Sequence, residues 1–383
     1  MQKNNVKNGI NNINSVHNIL ENKRIGLITN HTGLDSELKN TANILKEKYN
    51  LVALFAPEHG IKGEQEAGVK IEAYIDEDTN IKVYSLYNTE KTITKEMLDL
   101  IDVLVFDIQD VGLRYYTYQY TLTNALIMCE TYRKKCVVLD RVNLLGLKRV
   151  EGNILNINYS SFVGKFETPT RPALTIGEFA RYINDIYDIN ADLEVCECIN
   201  YTRDMSIEDT DIVFVPPSPN ITSIDCVNIY VGTCLFEGTN MSEGRGTTKP
   251  FEQIGAPYLK NKLVIEKINE LKLEGFLLRE SYFTPLFSKH KDTLCKGIAI
   301  HITDKEKFKP FLLALHLIKI IRENHKEFEF LKPPKEGQKP FIDLLFGSEQ
   351  IKEENFNIEK YIEEEEIKLK EFQEKSKRYW LYK

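Results

Sequence analysis

No apolar run in this chain approaches the roughly 18 residues that span a bilayer, and the N-terminal stretch MQKNNVKNGINNINSVHN lacks the continuous hydrophobic core of a secretory signal. As written, the chain is expected to be cytoplasmic, and exported only if a native leader is missing from it. Bases are in short supply too. With 57 acids against 50 bases and a formal net charge of −7, no general positive field exists to displace counterions from phosphates, so no nucleic-acid partner is expected. An anionic small ligand held by a few local arginines stays open. The seven cysteines are odd in number and scattered through mostly apolar runs, which reads as buried reduced thiols and not as a disulfide framework. Cys196 and Cys198 are two apart, but without a second Cys or His pair no metal site is expected. GxSxG, HExxH, GxxxxGK[ST] and a GxGxxG after the first strand are all missing, which argues against a serine hydrolase, a zincin, a P-loop enzyme and a nicotinamide cofactor. No cofactor is expected.

What the chain does have is length and rhythm. Its 383 residues suffice for two domains at about 150 residues each, with about three quarters of the unfolded surface open to burial. Through the first 140 residues, short β-branched runs alternate with helical patterns, the signature of a parallel sheet with crossover helices. Strands are predicted at 24–29, 51–55, near 82–86, 103–106 and 136–139, with helices at 36–48, after Thr94 and from Leu122. The rhythm changes after Arg141, and a Gly-, Asn- and Pro-containing stretch at 143–172 reads as a boundary region. Thr175 and Glu178 then form a capping box ahead of helical periodicity. Further on, strands are predicted at 211–215 and 297–302, and helices at 224–235, 261–271, 305–321 and from Asn357. The expected fold is α/β: a Rossmann-like, mostly parallel sheet domain at 1–150, with a smaller α+β C-terminal domain within 151–383.

In such sheets ligands lie beyond the carboxyl ends of the strands. Those segments are unusually polar here: Asn30-His31-Thr32-Gly33, Ala56-Pro57-Glu58-His59-Gly60, Asp107 through Tyr116, Asp140-Arg141 and Pro216 through Asn220. A carboxylate and an imidazole at a buried strand end are costly unless paired or used, which singles out Glu58, with His59 as a functional group or an orienting partner. The loop from Phe236 to Thr248 packs Glu237, Glu243, Arg245 and three glycines into thirteen residues, a composition suited to wrapping a polar ligand. The cluster Tyr115, Tyr116, Tyr118 and Tyr120 is compatible both with stacking on a sugar ring and with core packing.

These segments, in this order, carry a resemblance. GLITNHTG, ALFAPEHGIKGEQEAG, DVLVFDIQDVGLRYYTY, VVLDR, LTIGEFA, VPPSPN, GTCLFEGTNMSEGRGTTKPFEQIGAP and RYWLY resemble the NamZ-type exo-β-N-acetylmuramidases over nearly the whole chain. The resemblance implies a glycoside hydrolase releasing terminal N-acetylmuramic acid from the non-reducing end of peptidoglycan fragments, with the site in a cleft between two domains. Glycoside hydrolysis commonly uses two carboxyl groups. Glu58 is expected to be the general acid/base, beside His59, and the second carboxylate is sought among Glu237, Glu243, Asp107 and Asp110, which spacing does not rank. Arg114 and Arg245 are expected at the lactyl carboxylate. Asn30, Asn220 and Asn240 are expected at hydroxyl or acetamido groups, with Tyr116 and Asp110 among the substrate contacts. The expected partner is a small MurNAc-containing saccharide, with a homodimer left open. A non-catalytic binder of muropeptides, and a hydrolase acting on another amino-sugar glycoside, are the competing readings.

Overall fold

The computed structural model describes residues 4–57, 60–62, 73–86, 92–333 and 335–383. In chain order the first six strands are β1 (Arg24–Thr29), β2 (Asn50–Ala56), β3 (Tyr74–Ile75), β4 (Lys82–Ser85), β5 (Val103–Asp107) and β6 (Lys135–Leu139). They are followed by β7 (Glu151–Ile154), β8 (Pro169–Arg171) and β9 (Leu193–Cys196). The last three are β10 (Gln253–Ala256), β11 (Phe276–Phe283) and β12 (Cys295–Ile302). Seven strands form one sheet in the order β3-β4-β2-β1-β5-β6-β9, with only the β3–β4 pair antiparallel. Both faces are covered, as parallel sheets require. Successive residues of β5 serve opposite cores: Leu104 and Phe106 pack with the helices at Tyr118–Thr131 and Ile176–Ile186, while Val103 and Val105 join Leu27, Leu54 and Leu139 beneath the N-terminal 3₁₀ turns. The remaining strands form an antiparallel three-stranded sheet, β10-β12-β11, and a ribbon of β7 with β8.

Several elements depart from the sequence reading for local reasons. Residues 211–215 alternate in exposure, yet they form no ladder; they run alongside the turn at Leu34–Leu38. An alternating pattern makes an extended segment, and a neighbouring edge is still needed to make a strand. The edge position is taken by β9, whose half-exposed side chains gave a weak periodic signal. The helix expected from residue 36 begins at Thr41, because Asp35 accepts the Glu37 and Lys39 amides into a turn and Asn40 caps the helix through the Ala42 N–H. The helix expected from 305 begins at Pro310, whose missing N–H suits the first helical position. The Thr175–Glu178 capping box forms as expected.

The parallel register fixes the rim. Thr29 is level with Asp107, Ile28 with both Phe55 and Phe106, and Phe106 with Val138. The segments following β1, β2, β5 and β6 therefore leave the sheet on one side.

Candidate active site

Beyond that rim opens a cleft walled by residues spread between Tyr115 and Leu345. Tyr115, Tyr116 and Tyr118, between β5 and the helix Tyr118–Thr131, form one wall. Ser218 of the PPSPN segment, Tyr230 of the helix Ile224–Thr233, and Cys234, Glu237, Arg245 and Phe251 beyond it form the other. The tyrosines pack as well as line: the rings of Tyr116 and Tyr118 meet edge to face at 5.1 Å. Tyr115 meets Tyr230 the same way, and Tyr230 meets Phe251 at 4.6 Å. The cluster packs into the core, and Tyr115, Tyr116 and Tyr118 also line the cleft.

The glycine-rich loop carries the charge. Arg245 spans two carboxylates, with Nη2 3.3 Å from Glu237 Oε2 and Nε 3.3 Å from Glu243 Oε1, while its guanidinium lies 5.0 Å from the Phe251 ring centroid. Glu243 is buried, and its second oxygen accepts from Lys289 Nζ at 2.8 Å. The glycines on either side of Arg245, Gly244 and Gly246, adopt φ of +81° and +78°, the left-handed region that other residues enter at a cost. A Cβ on Gly246 would stand 2.7 Å from the Phe287 backbone, so this turn needs glycine on two counts. Burial raises the Glu237 carboxyl above its usual range, Arg245 opposes that shift, and Glu243 adds to it. For Arg245, burial works against the charge, but Glu237 and Glu243 outweigh it and hold the guanidinium more firmly protonated than usual. Within the cleft lining, Arg245 is the one cation among the described residues.

Of the expected site residues, the structure brings Tyr116, Glu237 and Arg245 into the cleft, with Glu243 directly behind Arg245. Asn30 stands one residue behind the wall: its Oδ1 accepts from the Thr32 amide and hydroxyl, and its Nδ2 donates to Tyr118 Oη at 3.0 Å, which itself donates to the Pro217 carbonyl. Asn220 closes the PPSPN turn through its amide on Ser218 Oγ.

Four others are placed elsewhere. Arg114 is fully enclosed, and its guanidinium donates to the carbonyls of Asn153, Thr168, Leu345 and Phe346, so it braces the boundary region against the C-terminal segment and does not face the cleft. Asp107 is equally enclosed, its oxygens held by Arg141 at 2.6 and 3.0 Å and by the Thr41 hydroxyl. Asn240 spends its amide on Glu327, Glu329 and Tyr258. Asp110 borders a separate, smaller cavity with Gln109, Arg141 and Asn143, where burial pushes its carboxyl up to about 7. Glu58 and His59 lie outside the described residues. Sequence reasoning missed Lys289, Tyr230, Phe251, Phe341 and Leu345; each comes from an apolar run or a surface-like loop with no local signal of a site.

Paired carboxyl groups bridged by an arginine, set in a tyrosine-walled cleft over the ends of a parallel sheet, suit glycoside hydrolysis, and comparison with known proteins places this mixed α/β chain among the glycosidases. The chain belongs to the NamZ exo-β-N-acetylmuramidase family: the family's N-terminal model matches residues 25–225 and its C-terminal model residues 228–382. It is 43% identical over 369 residues to the peptidoglycan β-N-acetylmuramidase NamZ of Bacillus subtilis (strain 168), covering 95% of this chain and 88% of that protein. Two crystal structures of DUF1343 family proteins from Bacteroides fragilis NCTC 9343 share the fold, each match covering 99% of both chains. One is 31% identical with a TM-score of 0.88 and the other 29% identical with a TM-score of 0.80.

Proposed function

We propose that this protein removes terminal N-acetylmuramic acid from the non-reducing end of peptidoglycan fragments, with the sugar bound in the tyrosine-walled cleft. The observation that carries this reading is the convergence of Tyr116, Glu237 and Arg245 on one cleft in a member of this family. Glu58, which follows directly after β2, is the proton donor to the leaving oxygen. The glycosidic C–O bond breaks toward that oxygen, and water supplies the hydroxyl that ends on the anomeric carbon. Among the second-carboxylate candidates found in the described residues, Glu237 alone lines the cleft, and it serves as nucleophile or as base for the attacking water. Arg245, a quarter exposed, holds Glu237 and presents the cleft's cation to the lactyl carboxylate.

Release of N-acetylmuramic acid from a MurNAc-GlcNAc disaccharide is the expected activity. Glu58→Gln and Glu237→Gln should each lower kcat by about 10²-fold or more, the scale set by loss of a positioned proton-transfer group. Wild-type turnover in Glu237→Gln would remove Glu237 from the chemistry, and the anomer first released distinguishes nucleophile from base. A homodimer and cytoplasmic action belong to the same proposal, to be tested by light scattering and by cell fractionation.

A further inference from the structure

The cleft's charge network has a member that reaches it from outside the glycine-rich loop. Lys289 sits between β11 and β12, in the loop TPLFSKHKDTLC, and its ammonium uses all three of its N–H donors. One goes to Glu243 Oε2 at 2.8 Å, one to the Phe236 carbonyl at 2.7 Å and one to the Met241 carbonyl at 2.9 Å. Phe236 immediately precedes Glu237, so Lys289 grips the backbone that carries the cleft carboxylate as well as the carboxylate behind Arg245. The loop is committed to this geometry. Leu286 N donates to the Gly246 carbonyl, His290 Nε2 meets the Asn240 carbonyl at 2.7 Å, and Ser288, His290 and Asp292 hold φ of +67°, +55° and +57°. Left-handed backbone at three non-glycine positions around one lysine persists only where the surroundings impose it.

Charge counting shows what the lysine is for. Glu237 and Glu243 each lie 3.3 Å from Arg245, and Lys289 adds a second cation to the pair, 2.8 Å from Glu243. Without Lys289, a buried Glu243 would compete for that guanidinium and add an uncompensated negative charge beside Glu237. Among the described residues, the other titratable groups facing this cluster, the Cys234 thiol 3.6 Å from Glu237 Oε1 and the Tyr230 phenol, are held neutral by burial and supply no cation.

We infer that Lys289 is a positioning residue for the second carboxylate of the cleft: it balances the charge of Glu243 and pins the Phe236 and Met241 carbonyls, so that Arg245 can hold Glu237 as well as Glu243. This rests on the reading of Glu237 as that carboxylate. Loss of Lys289 withdraws one of the positive charges that, with Arg245, favour the ionised form of Glu237. The acid limb of the kcat/KM profile, which requires ionised Glu237, therefore moves to higher pH.

The test is the pH profile of release from a chromogenic muramide by wild type, Lys289→Gln, Lys289→Arg, Glu243→Gln and the double variant Lys289→Gln with Glu243→Gln, with folding checked by thermal melts. Lys289→Gln keeps a donor for the carbonyls and should move the acid limb to higher pH. Lys289→Arg should return it close to wild type, and loss of Lys289 should move the limb less in the Glu243→Gln background, where no Glu243 charge is left to neutralise, than in wild type. Should Lys289→Gln not fold, the comparison of Lys289→Arg and of the double variant with Glu243→Gln carries the test. An acid limb in Lys289→Gln that superimposes on wild type, whatever the fall in rate, overturns the inference. So does a shift on loss of Lys289 that persists undiminished in the Glu243→Gln background. If Glu237→Gln turns over like wild type, the reading of the cleft fails instead, and the two failures are separate.

Discussion

At the scale of single residues, chemically equivalent side chains have been sent to different work. Arg114 and Arg245 both follow family motifs and both carry a fork suited to a carboxylate. Arg114 is buried, where desolvation lowers its affinity for the proton, and its hydrogen bonds go to carbonyl and amide oxygens, with the Tyr115 ring 5.8 Å away. Arg245 meets two carboxylates and the open cleft. Asp107 and Glu237 divide in the same way, the first being consumed by Arg141 in a fully enclosed pair. Removing one partner of a buried pair leaves the other charge uncompensated, which costs about 3–5 kcal/mol. Asp107→Ala is therefore expected to lower unfolding free energy by that amount in urea titration. A loss within 0.5 kcal/mol, the size of an ordinary surface change, would contradict the pair's structural role. These assignments were not legible in the sequence, because residue type reports chemistry and not surroundings.

Elements were more legible, since their signals are local. The Thr175–Glu178 box, the all-buried β5 and the helix after Asn357 follow from periodicity and capping chemistry within a few residues. What periodicity misses is how closely two elements approach. The helices Ile224–Thr233 and Pro310–Asn324 pack tightly at Gly232, where a Cβ would stand 2.1 Å from the Pro310 carbonyl oxygen. That contact is to backbone and cannot be relieved by a rotamer. Gly232→Ala should destabilise by about 1–3 kcal/mol through overpacking, in spite of alanine's better helix propensity. A variant as stable as wild type in chemical denaturation would mean that the helices can separate freely. Because the helix Ile224–Thr233 leads directly into the turn bearing Glu237, activity should fall alongside stability.

Over the whole molecule, the chain's end is tied to the first sheet. Tyr382 Oη donates to Asp140 at 2.6 Å, Arg203 stacks on Trp380 at 3.6 Å, and Glu178 accepts the Leu381 amide while capping its own helix. Burial pushes Asp140 up to about 6 and Asp110 to about 7, from an ordinary 3.8. A carboxyl whose folded pKa is raised holds a proton that the unfolded chain has already released. Stability should therefore be greatest below about pH 4, decline as pH rises through about 7, and level off above, as far as these two groups contribute. Asp110→Asn should remove its share of that decline, so that its melting temperature gains on wild type between pH 4 and 7. Melting curves that stay parallel across that range would show that Asp110 carries no raised pKa. No helix among the described residues is long and apolar enough to cross a membrane.

The sequence by itself determined the family, the layered sheet and the rim on which chemistry collects, because alternation, capping and turn residues act between near neighbours and the motifs are long and distinctive. Which acids and cations meet in the cleft was decided only by the tertiary structure. Arg114 is withdrawn by carbonyls 231 and 232 residues away, and Glu243 is neutralised by a lysine 46 residues further on. A buried charge takes its role from the partners that surround it, and those partners are assembled only when the chain has folded.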